Sequence, residues 1–468
     1  LRARVAWTLL VGLAVLAGCG GEDAGRRDPA PEGLRPPSII FILTDDQAPD
    51  SLGIAGNRFV QTPHLDALAA DGAYFRRAYV PTPQCAPSRA SILTGRYPHA
   101  HGVMTNRDTR LSPSAHTMAS ALKERGYATG LVGKWHLGED DRPQAGFEDL
   151  WVTIAAPGRY ADPELWIDGE RRRHAGLVTD VLTDYAIRFI DTHRDEPFFL
   201  WLAYRAPHPP FPLAPDGRFT YPTDSVPLPV SAEDDLSTKP AAQRESACHA
   251  WFARANRHDG AGLRQRLSRY YTLVSIIDHN VGRLVDAVRD RGIADQTIVI
   301  YASDNGALFG EHQMVTKGPA FYEELVRTPL IIWAPGRVPG GRQVDALASV
   351  LDIFPTVCAQ AGCAVPSDLP GVDIWPLATA AASPRREALF FEYLEKSQTS
   401  ERVPMRGLVT EQYKYARYLD TGEQELYDLH HDPREMDNLA ADGAHRDVLT
   451  TLRGMLDAWR RTSGDVDP

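Results

Sequence analysis

The chain has 468 residues, 43% of them hydrophobic and 24% charged, enough to bury one large core and a smaller second one. A disordered, fibrous or polytopic membrane protein is thereby excluded. The 50 basic and 61 acidic residues give a net charge of -11, which argues against a generic nucleic-acid surface, so an anionic substrate would need a locally basic pocket.

The N-terminus is basic, Leu1-Arg2-Ala3-Arg4, and is followed by an apolar run over 5–17 that is too short to be read first as a spanning helix. The run closes on Leu16-Ala17-Gly18-Cys19, which resembles a bacterial lipobox. Residues 1–18 then read as a lipoprotein signal peptide, with Cys19 lipidated as the membrane attachment; an ordinary cleaved signal peptide or an uncleaved anchor is the alternative. Each places the mature domain outside the cytoplasm, in the periplasm or at the cell surface. Residues 19–37, rich in Gly, Pro and charge, read as a flexible tether.

From residue 38 onward, apolar runs of strand length alternate with amphipathic helical stretches, which predicts an α/β domain with a mostly parallel central sheet. Four of these runs end in polar clusters. Residues 38–43 lead into Thr44-Asp45-Asp46, and 128–132 into Gly133-Lys134-Trp135-His136. Residues 198–204 lead into Arg205-Ala206-Pro207-His208, and 297–301 into Ala302-Ser303-Asp304-Asn305. Side chains just beyond the carboxyl ends of parallel strands converge on one edge of such a sheet, where these folds bind ligands. Helices are expected over 62–70, 115–125, 178–192 and 263–291. Residues 209–262, polar and without a clear period, read as an irregular lid or substrate wall. Short strands near 387–393, 407–409, 413–419 and 425–429, followed by a helix over 447–461, predict a small antiparallel α+β subdomain. The division is 38–383 for the catalytic domain and 384–468 for the C-terminal subdomain.

Asp45, Asp46, Asp304 and Asn305 are hard oxygen donors suited to Ca²⁺ or Mg²⁺, although an Asp-Asp pair after a strand also serves as a cap or solvated turn. Cys85 stands just ahead of Pro87, a favoured first-turn residue, and so at the start of a predicted helix where backbone N–H groups favour an anion. Of the other cysteines, Cys358 and Cys363 are spaced for a small-loop disulfide, and no Cys/His set suggests zinc.

The stretch Cys85-Ala86-Pro87-Ser88-Arg89, continued by Leu93-Thr94-Gly95, resembles the signature of the formylglycine-dependent sulfatases of the alkaline phosphatase superfamily. The resemblance implies the alkaline-phosphatase-like sheet flanked by helices, with a smaller C-terminal α+β domain. It also implies that a formylglycine-generating enzyme oxidises Cys85 to Cα-formylglycine, whose hydrate attacks a sulfate ester beside a bound cation, Ca²⁺ ahead of Mg²⁺. By the same resemblance Arg89 fixes the hydrate, Lys134 and Lys317 hold the sulfate, His136 contacts the hydrate, and His208 holds the ester oxygen, with His208 or Lys317 as the leaving-group acid. Residue 85 completes a metal set with Asp45, Asp46, Asp304 and Asn305.

The expected activity is hydrolysis of a sulfate monoester, on a carbohydrate or other small molecule. An arylsulfatase, a phosphonate monoester or phosphodiester hydrolase of the same superfamily, and a non-enzymatic glycan-binding surface lipoprotein are the rivals. His312 is a weaker candidate for lining the site, and Arg171-Arg172-Arg173-His174 reads as a basic subsite or a solvated face. His99 and His101 read as structural or rim residues.

Overall fold

Eight consecutive buried residues, Ser38–Asp45, form strand β1, and the chemistry-bearing side chains gather around its carboxyl end. A run of Ile, Phe and Leu buried on both faces suits a central strand. The computed structural model describes residues 35–155, 158–214, 216–381, 386–394 and 403–466. The expected signal peptide and the lipidated Cys19 lie outside the described residues, as does the expected division at 383/384. Among the described residues no helix is long and apolar enough to cross a membrane.

The main sheet has ten strands. They are β1, β2 (Ala73–Phe75), β3 (Ala128–Gly133), β4 (Leu150–Ile154), β5 (Glu164–Ile167), β6 (Glu170–Arg173), β7 (Phe198–Pro207), β8 (Thr297–Ser303), β9 (Leu330–Trp333) and β10 (Arg342–Val344), in the order β10-β2-β9-β8-β1-β7-β3-β4-β5-β6. The strands β8, β1, β7 and β3 are neighbours and parallel. Their registers align Leu43 with Ala203 on one side and with Ala302 on the other, and Gly133 with Ala203. The four polar clusters therefore emerge side by side at one edge of the sheet.

Alternation along β1 divides the core. Ile39, Phe41 and Leu43 pack with Ile92, Met118, Leu122 and Phe354 on one face, and Ile40 and Ile42 pack with Leu182, Ile190, Leu273 and Ile277 on the other. Each fully buried side chain of this size contributes roughly 1.5–3 kcal/mol. The helices follow the predicted spacing, with shifted ends: Pro63–Ala70, Met118–Glu124 and Val178–His193. Thr117, which accepts from Ser120 N, sets the start of the second.

Two expectations are corrected. The long helix runs over Arg257–Asp290 and so begins before residue 263, and the stretch expected to be irregular contains the helices Ala241–Arg244 and Ala247–Ala255. Ser246 caps the latter by accepting from His249 N.

In the C-terminal region, strands β11 (Leu389–Tyr393), β12 (Met405–Val409), β13 (Tyr413–Tyr418) and β14 (Gln424–Asp428) form an antiparallel sheet in sequential order. The helix Arg446–Ser463 covers it through Leu452 and Leu456, packed with Leu408, Tyr415 and Leu426. Cys358 is buried and Cys363 partly buried, and both are free thiols in this structure.

Candidate active site

The helix Cys85–Thr94 is buried along its whole length and opens on Cys85 itself. Gly95, at φ 69°, takes the left-handed position that ends it, which is the backbone reason for a glycine in Leu-Thr-Gly. Asn106 accepts from Ala86 N at 2.9 Å, satisfying one of the free amides of the first turn. Cys85 Sγ lies 3.3 Å from Asp45 Oδ1, 3.7 Å from Asp46 Oδ1 and 2.9 Å from Lys317 Nζ. Burial pushes the Cys85 thiol well above its ordinary pKa.

Strand β1 delivers Asp45 and Asp46, and β8 delivers Asp304 and Asn305 on the neighbouring loop; all four are buried. Asp46 adopts a left-handed backbone, φ 67°, fixed by its own N–H donating to Asp304 Oδ1 at 3.2 Å. Asn305 Nδ2 donates to Asp46 Oδ1 at 2.7 Å, while Asn305 Oδ1 is buried with no hydrogen-bond partner. Ligand atoms of Asp45, Asp46, Cys85 and Asp304 all lie within 4.8 Å of one another. Burial, and then the charge of Asp45, push the Asp304 carboxyl up to about 7. Clustered hard oxygens, an acceptor without a donor and a carboxylate resisting ionisation together fit a divalent cation.

Cations surround this group. Arg89 Nε donates to Asp304 Oδ2 at 2.8 Å and its Nη1 to Lys134 O at 2.8 Å. Lys134 Nζ lies 2.5 Å from Asp45 Oδ2, and Lys317 Nζ 2.5 Å from Asp46 Oδ1. Burial alone would raise Asp45, but Lys134, His208 and Arg89 outweigh it and hold Asp45 well below the usual carboxylate range. Lys134 leaves β3 after Gly133, φ 122°, where a Cβ would meet Ala203 O at 1.9 Å, so only glycine lets β3 approach β7 this closely. His208 donates from Nδ1 to Pro209 O at 2.6 Å, which leaves Nε2 as the bare nitrogen, 3.8 Å from Asp46 Oδ2. His136, also left-handed at φ 61°, has a buried Nδ1 without a partner; burial and then the charge of Lys134 hold the ring far below its usual pKa, hence neutral.

All ten site residues drawn from the sequence thus meet at one place, although no hydrogen bond joins His136 to Cys85. The weaker candidates stand elsewhere. His312 is fully buried against Asp234 and orders a loop. Arg171, Arg172 and Arg173 lie exposed on β6, paired with Glu164, Glu170 and Asp162. His99 is bound to Glu392 and His101 to Ser91, both structural. Sequence reasoning missed Asn106, and also Cys248, whose Sγ donates to Lys317 O at 2.8 Å. A cavity of about 800 Å³ opens over the site, lined by His208 and Lys317 and also by Trp251, Arg254 and Arg266, which lie in or beside the stretch expected to be irregular.

A doubly covered, mostly parallel sheet with a cation-ready carboxylate cluster, a helix-start cysteine and two lysines at its carboxyl edge defines a hydrolase of anionic esters in the alkaline phosphatase superfamily. The sequence profile of the Sulfatase family matches residues 37–363, and that of the N-sulphoglucosamine sulphohydrolase C-terminal region matches 310–462. The chain belongs to the sulfatase family and is an enzyme that hydrolyses sulfuric esters. It is 30% identical to an N-acetylglucosamine-6-O-sulfatase of Bacteroides thetaiotaomicron, over 98% of this chain and 92% of that protein. It is 26% identical to an arylsulfatase of Clostridium perfringens, over 90% and 93%. A solved structure of a protein in complex with its substrate D-glucosamine-2-N,6-O-disulfate superposes with a TM-score of 0.84 at 27% identity, over 93% of this chain and 99% of the other. The phosphonate monoester hydrolase of Agrobacterium radiobacter, at 24% identity and a TM-score of 0.74 over 91% and 96%, shares the fold.

Proposed function

We propose that this protein hydrolyses a sulfate monoester on a carbohydrate, using a formylglycine made from Cys85 by a formylglycine-generating enzyme and a divalent cation, Ca²⁺ ahead of Mg²⁺. The observation that carries the reading is the placement of Cys85 at a buried helix start, 2.9 Å from Lys317 and 3.3 Å from Asp45. A buried thiol held in its protonated form is a poor nucleophile, which favours an oxidised residue at this position. The relatives named above support a sugar as the substrate.

Asp45, Asp46, Asp304, Asn305 and the oxygen on residue 85 would hold the cation. The aldehyde hydrate would supply the attacking oxygen, and the cation would favour its ionised form. Arg89 anchors the helix turn bearing residue 85 to Asp304, so the attacking group is held in one orientation. Lys134 and Lys317 flank residue 85 and offer ammonium groups to the sulfate oxygens, where negative charge must be held. His208 borders the cavity with a bare Nε2; burial lowers its pKa while Asp45 and Asp46 oppose that, and once protonated there it would serve as the acid for the departing sugar oxygen. His136, neutral and unpartnered at Nδ1, is available to take a proton from the hydrate when sulfate leaves. The lipobox-like Leu16-Ala17-Gly18-Cys19 supports a lipid-anchored, extracytoplasmic enzyme.

The test is the mass of the tryptic peptide over 78–89 from the native host, together with turnover of an aryl sulfate and of a 6-O-sulfated hexosamine. A mass showing an aldehyde in place of the thiol, with sulfate released, is expected. An intact thiol in an enzyme that releases sulfate would sink the formylglycine assignment, and turnover dominated by phosphodiesters would sink the sulfatase reading.

A further inference from the structure

The cavity over Cys85 carries more positive charge than one sulfate ester requires. Besides Lys317, it is lined by Arg254 and Arg266, and Asp46, its one lining carboxylate among the described residues, is already held by Lys317. Among the described residues neither arginine has an acidic partner. Arg254 is exposed, and half-buried Arg266 lies over the ring of Phe211 at 5.6 Å. Farther along the same long helix Arg283 is paired with Asp184 and Arg289 with Asp71, while Arg264 donates to Val226 O. Burial pulls Arg266 below the ordinary guanidinium value, and no carboxylate restores it. A guanidinium that gives up water without gaining a counter-charge is poised for an anion from outside the chain.

Arg266 also borders a narrower recess shared with Asp46 and Thr316, which puts it beside the reacting centre. Arg254 lies three residues after Trp251 on the helix Ala247–Ala255, and residues three apart share a helix face. Trp251 lines the same cavity, so an aromatic face suited to a sugar ring and a guanidinium front the same space. At about 800 Å³ the cavity exceeds what a sulfate group alone would fill.

We propose that Arg254 and Arg266 form a second anion subsite, which binds a carboxylate or sulfo group carried by the same glycan next to the ester that is hydrolysed. This deepens the sulfatase reading and rests on it. Trp251 is the platform for the sugar between the two charged groups, and the enzyme selects polyanionic saccharides over neutral sugars bearing one sulfate.

Calorimetric titration of the full chain carrying Cys85→Ala, which cannot turn over, tests the subsite apart from catalysis. The probes are glucosamine 6-O-sulfate, glucosamine 2-N,6-O-disulfate and a 6-O-sulfated hexosamine linked to a uronate. At least one sugar with a second anionic group should bind about tenfold tighter than the monosulfated sugar, and which one does so distinguishes sulfo from carboxylate. Adding Arg254→Gln or Arg266→Gln should each shrink that advantage about three- to tenfold, and Arg266→Lys should keep part of it. Equal binding of all three sugars, no binding of any, or an advantage that survives both substitutions would overturn the subsite. Failure of the parent enzyme to release sulfate would instead remove the sulfatase reading, and the measured affinity ratio would still stand.

Discussion

Lys317 Nζ lies 2.9 Å from Cys85 Sγ and 2.5 Å from Asp46 Oδ1, so one ammonium bridges the modifiable residue and the carboxylate cluster. Burial works against its charge, yet Asp46 and the other acids keep it protonated well above the ordinary lysine range. A cation held this firmly is available wherever negative charge grows at residue 85. Lys317→Ala should lower kcat on an aryl sulfate by roughly 10²–10³-fold, as for other deleted charge-stabilising donors. Steady-state kinetics checks this, and a loss smaller than about threefold would remove Lys317 from the charge-stabilising set.

Asn305 Oδ1 is buried and unpartnered beside three carboxylates, which marks it as a ligand position. Dialysis against a chelator should abolish sulfate release, and Ca²⁺ should restore it at lower concentration than Mg²⁺. Asn305→Ala should raise the Ca²⁺ needed for half-maximal activity by about tenfold or more, since even residues behind the ligands often cost that much. A cation requirement that this substitution leaves untouched would place the ion elsewhere.

Much of this site was legible in the sequence because its residues sit where β1, β3, β7 and β8 end, and hydrophobic runs with abrupt polar ends are a local signal. Cys85-Ala86-Pro87-Ser88-Arg89 is contiguous and needed no tertiary information. Trp251, Arg254 and Arg266 were missed for a physical reason. Trp251 and Arg254 fall in 209–262, which is polar and lacks a clear apolar period, while Arg266 is a polar position on the helix expected over 263–291, whose apolar spacing reports the buried face and not the one toward the cavity. The cap at Ser246 was the available clue to the helix of Trp251 and Arg254. Asn106 accepts from the Ala86 backbone, and Cys248 bonds to Thr316 and the Lys317 backbone; no sequence spacing announces these contacts.

Arg406 and Asp465 form a two-pronged ion pair, 2.6 and 2.7 Å, with both side chains fully buried between β12 and the end of the C-terminal helix, and Arg460 adds a third contact at 2.9 Å. Asp465→Asn leaves Arg406 without its counter-charge and should cost about 3–5 kcal/mol. Burial opposes ionisation of Asp465, but Arg406 and Arg460 hold its pKa below the usual value. The stabilisation is therefore present above the normal carboxylate range and is lost as pH falls through the depressed pKa. Urea unfolding of the parent and the variant at neutral pH checks the cost, and matching midpoints would contradict it.

The loop that presents Lys317 is under conformational load, because His312, Gln313 and Thr316 all have positive φ, at 48°, 52° and 71°. His312 holds it in place. Its Nδ1 donates to Asp234 Oδ2 at 2.8 Å, and its ring stacks on Tyr322 at 3.6 Å between centroids. Burial lowers its pKa to about 4; Asp234 opposes that shift, and the charges of Lys239 and Lys414 add to it. With an unfolded value near 6.5, the folded state binds fewer protons than the unfolded state between about pH 6.5 and 4. Stability from this residue is complete above about 6.5, falls as pH drops toward about 4, and levels off below; a shift of this size corresponds to on the order of 3 kcal/mol. His312→Gln should lower stability at neutral pH and flatten the fall in melting temperature between those pH values. Because the same substitution loosens the approach to Lys317, kcat should drop with little change in KM. A melting curve as steep in the variant as in the parent would show that another group carries the acid sensitivity.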